Sequence, residues 1–69
     1  MFVFIKSQNK LLNLEQVVEV RLEENELVFL TNGGTHRVDF PTPEEARKAF
    51  EALATEIILK EGAVHLWQR

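Results

Sequence analysis

The segment from Glu26 to Phe50 constrains the fold of this chain more than any other part. It reads ELVFLTNGGTHRVDFPTPEEARKAF and contains, in order, a strand pattern, a glycine turn, a second strand pattern and a helix start. Strands alternate apolar and polar residues with a period of two, whereas helices repeat apolar positions every three or four residues. Because few residues separate these patterns, the segment predicts strands and a helix in close packing, which is an α+β arrangement.

The glycine turn leaves two hairpin registers open. The run Asn32 to Gly34 supplies residues that tolerate the positive φ angles of a type I′ turn. An Asn-Gly loop would place Phe29 opposite His36, whereas a Gly-Gly loop would place Phe29 opposite Val38. We favour the Gly-Gly loop because it pairs the largest apolar residues.

The helix start carries a capping signature. Thr42 is a good N-cap, Pro43 suits the first helical position, and Glu45 completes a capping box. One apolar face follows at helical spacing, formed by Ala46, Phe50, Leu53 and Ile57. Gly62 suits the position just after the helix. The residues from Ala63 to Gln68 fit either a short final strand or an ordered tail.

The first half of the chain predicts further short strands. Apolar residues mark strands at Phe2 to Lys6 and at Val17 to Glu23, with a shorter candidate at Leu11 and Leu12. A turn at Glu24 and Asn25 would pair Leu22 with Leu27, Val20 with Phe29 and Val18 with Thr31. The prediction is therefore a single α+β domain over residues 1–69, an antiparallel β-meander of four to five short strands with one amphipathic helix packed across one face.

Size and composition narrow the classes of function. The chain has 69 residues, a formal charge of −3 and no cysteine, so it contains neither disulfides nor thiolate metal sites. A domain of this size buries only about 60% of its unfolded surface, and oligomerisation is one way to compensate. The sequence lacks the basic stripe of a nucleic-acid module and any apolar run long enough to span a membrane. We expect a soluble cytoplasmic protein that does not bind membranes and for which nucleic acid is an unfavoured partner.

The order of features resembles a group of small bacterial proteins with no assigned activity. The matching residues are Asn13-Leu14-Glu15-Gln16-Val17, Asn32-Gly33-Gly34 and Thr42-Pro43-Glu44-Glu45-Ala46, and the resemblance covers roughly Phe2 to Ile58. It implies an antiparallel β-meander followed by one C-terminal helix, and it supplies no active site to carry over.

The sequence predicts no catalytic, cofactor-binding or metal-binding residues. Its two histidines, His36 and His65, have no ligand spacing that would bring them together in a zinc site. The glycine run lacks the strand–loop–helix context and the lysine of a phosphate-binding loop, so a hairpin turn is the better interpretation. No serine or threonine has a recognisable base partner.

The most suggestive residues are Val28 and Leu30, which alternation places on the sheet face away from the helix. In the favoured register, Arg21 and Asp39 flank Val28, while Glu19 and Arg37 flank Leu30. The charged stems either fold over the two apolar residues or form the rim of an apolar interface. We treat Val28, Leu30, Arg21, Arg37 and Trp67 as the candidate interface residues.

Strand one adds surplus apolar surface, because Phe2 and Phe4 lie on one side and Val3 and Ile5 on the other. One of these pairs needs cover beyond a single helix, from the chain's own Val64, Leu66 and Trp67 or from a neighbouring subunit. The leading hypothesis is a non-enzymatic domain that acts through protein–protein contact, as a homo-oligomer, most commonly a two-fold dimer, or with an unidentified protein partner. The alternatives are a single-stranded nucleic-acid-binding module that uses the open sheet face, and a small-ligand or enzyme domain with a site between subunits.

Overall fold

A computed structural model describes residues 1–61, and the predicted α+β architecture is confirmed. These residues form five strands and one long helix: β1 (Phe2–Ile5), β2 (Lys10–Asn13), β3 (Val17–Glu23), β4 (Glu26–Thr31), β5 (Gly34–Asp39) and α1 (Pro43–Glu61). Short 3-10 helices at Lys6–Gln8 and Leu14–Gln16 connect β1 to β2 and β2 to β3. The strand or tail predicted for the segment after Gly62 lies outside the described residues.

The strands form two antiparallel sheets, and the strands that pair within each sheet are consecutive in the sequence. One sheet consists of β1 and β2, and the other has the order β3-β4-β5. Two polar contacts link the β1–β2 hairpin to β5. Lys10 Nζ donates to His36 Nδ1 (3.2 Å), and Gln8 Nε2 donates to the Arg37 carbonyl oxygen (2.8 Å).

The core gathers one face of each sheet against the helix. Its buried members come from both sheets and are Ile5, Leu12, Leu27, Phe29 and Val38. On α1, Ala49, Phe50 and Leu53 pack against this cluster, and Ala46 is completely buried. The alternation of the strands and the helical spacing of α1 therefore converge on one apolar centre.

The predicted cap at the start of α1 is confirmed. Thr42 Oγ1 accepts a hydrogen bond from the Glu45 backbone N–H (3.1 Å) and lies 3.4 Å from Glu45 Oε2. Pro43 is the first helical residue, where a missing backbone N–H has no cost. Two hydrogen bonds fix the segment between β5 and the helix, because Asn25 Nδ2 donates to the Phe40 carbonyl (2.9 Å) and the Asn25 backbone carbonyl accepts from the Phe40 N–H (2.8 Å).

The β3–β4 hairpin has the predicted register except at its open end. Leu22 lies opposite Leu27 and Val20 opposite Phe29, but Thr31 pairs with Val17 instead of Val18. The pairing shifts between Val17 and Glu19, which is the mark of a β-bulge. The predicted Val18 pairing was therefore wrong, and Val18 is 68% exposed.

The β4–β5 hairpin uses the Asn-Gly loop, so the favoured Gly-Gly loop was wrong. Thr31 pairs with Gly34, and Phe29 therefore lies opposite His36. The Thr31 hydroxyl fixes this turn, since it accepts from the Gly33 N–H (3.1 Å) and donates to the Gly34 carbonyl (2.9 Å). A type I′ turn needs positive φ at its two central residues, here Asn32 and Gly33. The positive φ lies at Gly34 instead (147°), so the turn is not the expected type I′.

The corrected register changes the charged neighbours on the outer face of the three-stranded sheet. Val28 lies between Arg21 and Arg37, not between Arg21 and Asp39 as predicted. Leu30 lies between Glu19 and Thr35, and Arg37 is no longer beside it. Two arginines therefore converge on the same valine.

Candidate functional site

Val28, which the sequence predicted to lie on an apolar surface with Leu30, is buried, and an arginine lies opposite it on each neighbouring strand. Val28 has no exposed surface, although it lies on the face opposite the helix. The side chains of Arg21 and Arg37 are about half exposed, at 47% and 51%. Long basic side chains commonly lay their methylene stems over apolar groups while their charged ends stay in water. The cross-strand positions of the two arginines fit this arrangement.

Carboxylates hold both arginines in place. Arg21 Nε lies 3.4 Å from Glu19 Oε2 and 3.3 Å from Glu23 Oε2. Arg37 lies 3.6 Å from the other oxygen of Glu23 and 3.1 Å from Glu26 Oε1. Glu23 therefore joins the two arginines into one chain of ion pairs across β3, β4 and β5. Exposed pairs of this kind each contribute about 0.2–1 kcal/mol at most, so their main effect is positional.

This arrangement limits how much of the predicted apolar surface of Val28 and Leu30 is accessible. Leu30 is half-buried and Val28 is fully covered, so the outer sheet face presents mainly charged groups. A partner on this face would therefore meet the charged side chains around Val28 and not Val28 itself. Trp67, the remaining predicted interface residue, lies outside the described residues, and an interface role for the whole set stays a prediction.

The largest exposed apolar residues of the sheets lie elsewhere, on the outer face of the β1–β2 hairpin. Phe2 is 62% exposed, Phe4 is 60% exposed and Leu11 is 65% exposed. Phe4 and Leu11 are direct cross-strand partners, and Phe2 lies opposite Asn13. Because strands alternate, the other face of the hairpin supplies Ile5 and Leu12 to the core. We call the set Phe2, Phe4, Leu11 and Asn13 the hairpin face.

The hairpin face carries no ionisable side chain, but an opposite charge stands beyond each of its ends. Lys6 is exposed and follows β1 directly, at the end where Ile5 pairs with Lys10. Glu15 is exposed and lies two residues beyond Asn13, at the end where Phe2 pairs with Asn13. The Glu15 carboxylate is 3.8 Å from the Met1 amino group and its side chain remains 77% exposed.

Hydrogen bonds from the backbone N–H groups of Leu14 and Glu15 fix the position of Glu15. The Glu15 N–H donates to Asn13 Oδ1 (3.0 Å), which caps the short 3-10 helix Leu14–Gln16. The Leu14 N–H donates to the Met1 carbonyl (2.9 Å), so the start of the chain is held beside this helix. These hydrogen bonds therefore hold Glu15 at this end of the hairpin face.

A shallow groove separates the later part of α1 from the start of β3. It has a volume of about 220 Å³ and is lined by Leu14, Val17, Val18, Glu19, Val20 and Ile57. Typical small-molecule sites measure ~300–1,000 Å³ and contain several convergent polar groups. This groove is smaller and offers the Glu19 carboxylate as its ionisable side chain, so it makes a poor catalytic site.

The half-buried His36 makes its side-chain contact with Lys10, and His65 lies outside the described residues. Within residues 1–61, no three His, Cys, Asp or Glu side chains are grouped so that they could hold a metal ion. No helix in that same range is long and apolar enough to cross a membrane.

Comparisons with known proteins transfer no function to this chain. No family model, no curated protein and no solved structure matches it. The resemblance to small bacterial meander-and-helix proteins therefore stays a prediction.

Sequence reasoning found part of the hairpin face and missed part of it. The apolar residues on both sides of β1 signalled surplus surface on one side of the strand, either at Phe2 and Phe4 or at Val3 and Ile5. The place of Leu11 beside Phe4 was missed, because Leu11 and Leu12 formed too short a run to fix a register. The turn at Ser7 to Asn9 could have signalled it, since a hairpin there pairs the two short strands and puts Leu11 and Phe4 on one face.

Proposed function

We propose that this chain is a non-enzymatic domain that acts through protein–protein contact, including contact with copies of itself. The observation that carries the proposal is the hairpin face, where three large apolar side chains are each at least 60% exposed. Contiguous exposed apolar surface with a polar rim is typical of interaction sites. The small size of the domain adds support, since oligomerisation compensates for a limited core.

A homodimer with two-fold symmetry is the form of self-association we propose, because it is the commonest closed assembly. The cysteine-free sequence suits a reducing compartment, and a cytoplasmic location is part of the proposal. Light scattering coupled to size-exclusion chromatography tests it. We expect a mass above that of the monomer that falls on dilution, and a strict monomer at millimolar concentration would overturn self-association.

The outer face of the three-stranded sheet is our second candidate contact surface. Leu30 is its accessible apolar residue, beside Val28 and the ion pairs of Arg21 and Arg37, and Trp67 is the proposed contribution from the chain end. Replacing Leu30 with Glu tests this surface. Loss of association in Leu30→Glu would assign the interface to the sheet, whereas unchanged association would remove it.

A nucleic-acid function is the alternative that the exposed phenylalanines favour. Single-stranded nucleic acids bind through aromatic stacking combined with a basic groove. Phe2 and Phe4 offer the aromatic part and Lys6 offers one positive charge, but the chain as a whole carries −3. A labelled oligonucleotide at low salt discriminates the two functions, since binding that weakens steeply with added salt would support the nucleic-acid function.

A site for a small ligand between subunits is the remaining alternative. The groove beside Ile57 is below the usual size for such a site, so a partner copy would have to enlarge it. A Val18→Trp variant, which fills the groove from a residue that is 68% exposed, would abolish ligand binding there while leaving protein association intact. Protein contact remains the better-supported function because its surface is already complete in one copy.

A further inference from the structure

We propose that the hairpin faces of two copies pack against each other in antiparallel orientation around a two-fold axis. This inference rests on the proposed function and names both the partner, a second copy of this chain, and the geometry of the contact. Phe2, Phe4 and Leu11 of each copy form the centre. Lys6 of each copy then stands against Glu15 of the other.

The first argument for a second copy is the chemistry of the centre. Phe2, Phe4, Leu11 and Asn13 are all uncharged, so two identical faces meet without placing like charges together. The centre of an interface is typically aromatic and depleted of charge, which is the composition of this face. The outer face of the β3–β5 sheet is a poorer surface for self-contact, because it presents Glu19, Glu23 and Glu26.

The second argument is charge complementarity. Lys6 and Glu15 stand at opposite ends of a hairpin whose strands have four residues each, so about 13 Å of strand separates the two ends. That distance keeps Lys6 from pairing with Glu15 of the same copy. A two-fold axis that makes the hairpins antiparallel reverses one copy, and each basic end then meets an acidic end. A parallel arrangement would instead set each Lys6 against the other Lys6, and each Glu15, with the Met1 amino group 3.8 Å from its carboxylate, against the other Glu15.

The contact area sets the expected strength. The three side chains together expose roughly 350 Å² of apolar surface per copy, taking phenylalanine-sized groups at about 60% exposure. Stable complexes bury about 800 Å² per partner. The predicted dimer is therefore weak, with a dissociation constant in the micromolar range or above, and it dissociates on dilution.

Analytical ultracentrifugation of the full chain with matched variants tests the contact. Phe4→Gln removes the central aromatic ring from an exposed position, and we expect dimerisation to weaken at least tenfold. Leu59→Gln is the control, since Leu59 is likewise a large exposed apolar residue (75%) but belongs to α1 and not to the hairpin face. We expect that variant to dimerise like the unaltered chain. Circular dichroism and thermal unfolding establish that each variant is folded.

Charge reversal tests the orientation. Lys6→Glu and Glu15→Lys alone should each weaken the dimer by about tenfold, because two symmetric pairs become repulsive. Their combination should restore the unaltered dissociation constant to within a few-fold, because opposite charges meet again. Added salt should reduce both effects.

The outcomes separate this inference from the proposed function. A dimer that survives Phe4→Gln but is lost in Leu30→Glu overturns the hairpin contact and leaves the proposed function standing. Failure of the double charge reversal to rescue association overturns the antiparallel geometry. A monomer at millimolar concentration overturns both the contact and self-association. The hairpin face would then have another occupant, such as residues 62–69, a different protein or nucleic acid.

Discussion

Gly33 and Gly34 are neighbours in the β4–β5 turn, yet the backbone makes different demands on them. Gly34 has a φ of +147°, which residues with a side chain rarely adopt, while Gly33 lies outside that region. A Cβ at Gly33 would lie 3.9 Å from Thr31 Oγ1, an ordinary contact, and a Cβ at Gly34 would have nothing within 4 Å. Conformation, not space, therefore limits substitution at Gly34.

Replacing each glycine with Ala tests this difference. We expect Gly34→Ala to lower the free energy of unfolding by about 1–3 kcal/mol, the usual cost of holding a non-glycine residue in a rare backbone region. Gly33→Ala is the matched control and should change the free energy of unfolding by less than about 0.5 kcal/mol. Urea denaturation measures both. Equal effects at the two positions would contradict the positive φ at Gly34.

Val28 and Val18 are the same residue type in very different surroundings. Val28 has no exposed surface under Arg21 and Arg37, whereas Val18 is 68% exposed at the bulge in β3. The burial of Val28 depends on side chains that themselves reach into water. It is therefore the residue that reports whether the arginine cover exists in solution.

Truncation of the two valines tests the cover. Val28→Ala should lower the free energy of unfolding by about 2 kcal/mol, because two buried methyl groups are lost and a small cavity remains. Val18→Ala should lower it by less than about 0.5 kcal/mol, since its methyl groups are already in water. Thermal or chemical denaturation provides the comparison. A mild effect at Val28, similar to that at Val18, would mean that the arginines do not cover it.

At the scale of elements, the start of α1 is where local chemistry acts most directly. Thr42 accepts the Glu45 N–H and so satisfies one of the free donors of the first turn. Thr55 lies in the middle of the same helix, and its hydroxyl donates to the Glu51 carbonyl (2.9 Å), a group inside the helix and not at its end. The two threonines therefore have opposite effects on helix stability.

The Thr42→Ala substitution should lower the free energy of unfolding by about 1 kcal/mol, the usual loss for an N-cap. Thr55→Ala should leave it unchanged or raise it by a few tenths of a kcal/mol, because alanine is the better residue inside a helix. Denaturant unfolding monitored by circular dichroism at helix wavelengths gives both values. Similar losses in the two variants would contradict the capping role of Thr42.

The elements differ in how far the sequence could predict them. The helix and its cap were predictable because its start signals are local, and Thr42, Pro43 and Glu45 lie within one turn. The β4–β5 register was not, because both two-residue loops put Leu27, Phe29 and Val38 on the same face. The deciding contact is the Thr31 hydroxyl at Gly33 and Gly34, which hydrophobic matching ignores.

The candidate site divides in the same way. Alternation correctly placed Val28 away from the helix, but the two-residue register error hid the second arginine beside it. Because the predicted register did not place Arg37 there, the accessible apolar surface of Val28 and Leu30 was overestimated. Apolar residues on both sides of β1 did predict that one pair would lack cover from the helix, but they did not decide between Phe2 with Phe4, which are exposed, and Val3 with Ile5.

At the scale of the whole molecule, the hairpin and the three-stranded sheet have different outer surfaces. The sheet has a buried valine among arginines and carboxylates, and the hairpin exposes Phe2, Phe4 and Leu11. A domain of 69 residues buries a smaller fraction of its surface than a larger domain and is marginally stable, so three large exposed side chains on one face call for an explanation. Contact with a second copy through the hairpin face is the account we give of it.

The most direct test of this account follows the backbone amide signals of the full chain by nuclear magnetic resonance while the protein is diluted from millimolar to micromolar concentration. A weak dimer in this range exchanges as it dissociates, so amides at its interface change chemical shift. We predict shifts in β1 and β2 and at Lys6 and Glu15, with little change at Val28 and Leu30. Spectra that do not depend on concentration, or shifts confined to β3, β4 and β5, would contradict the account.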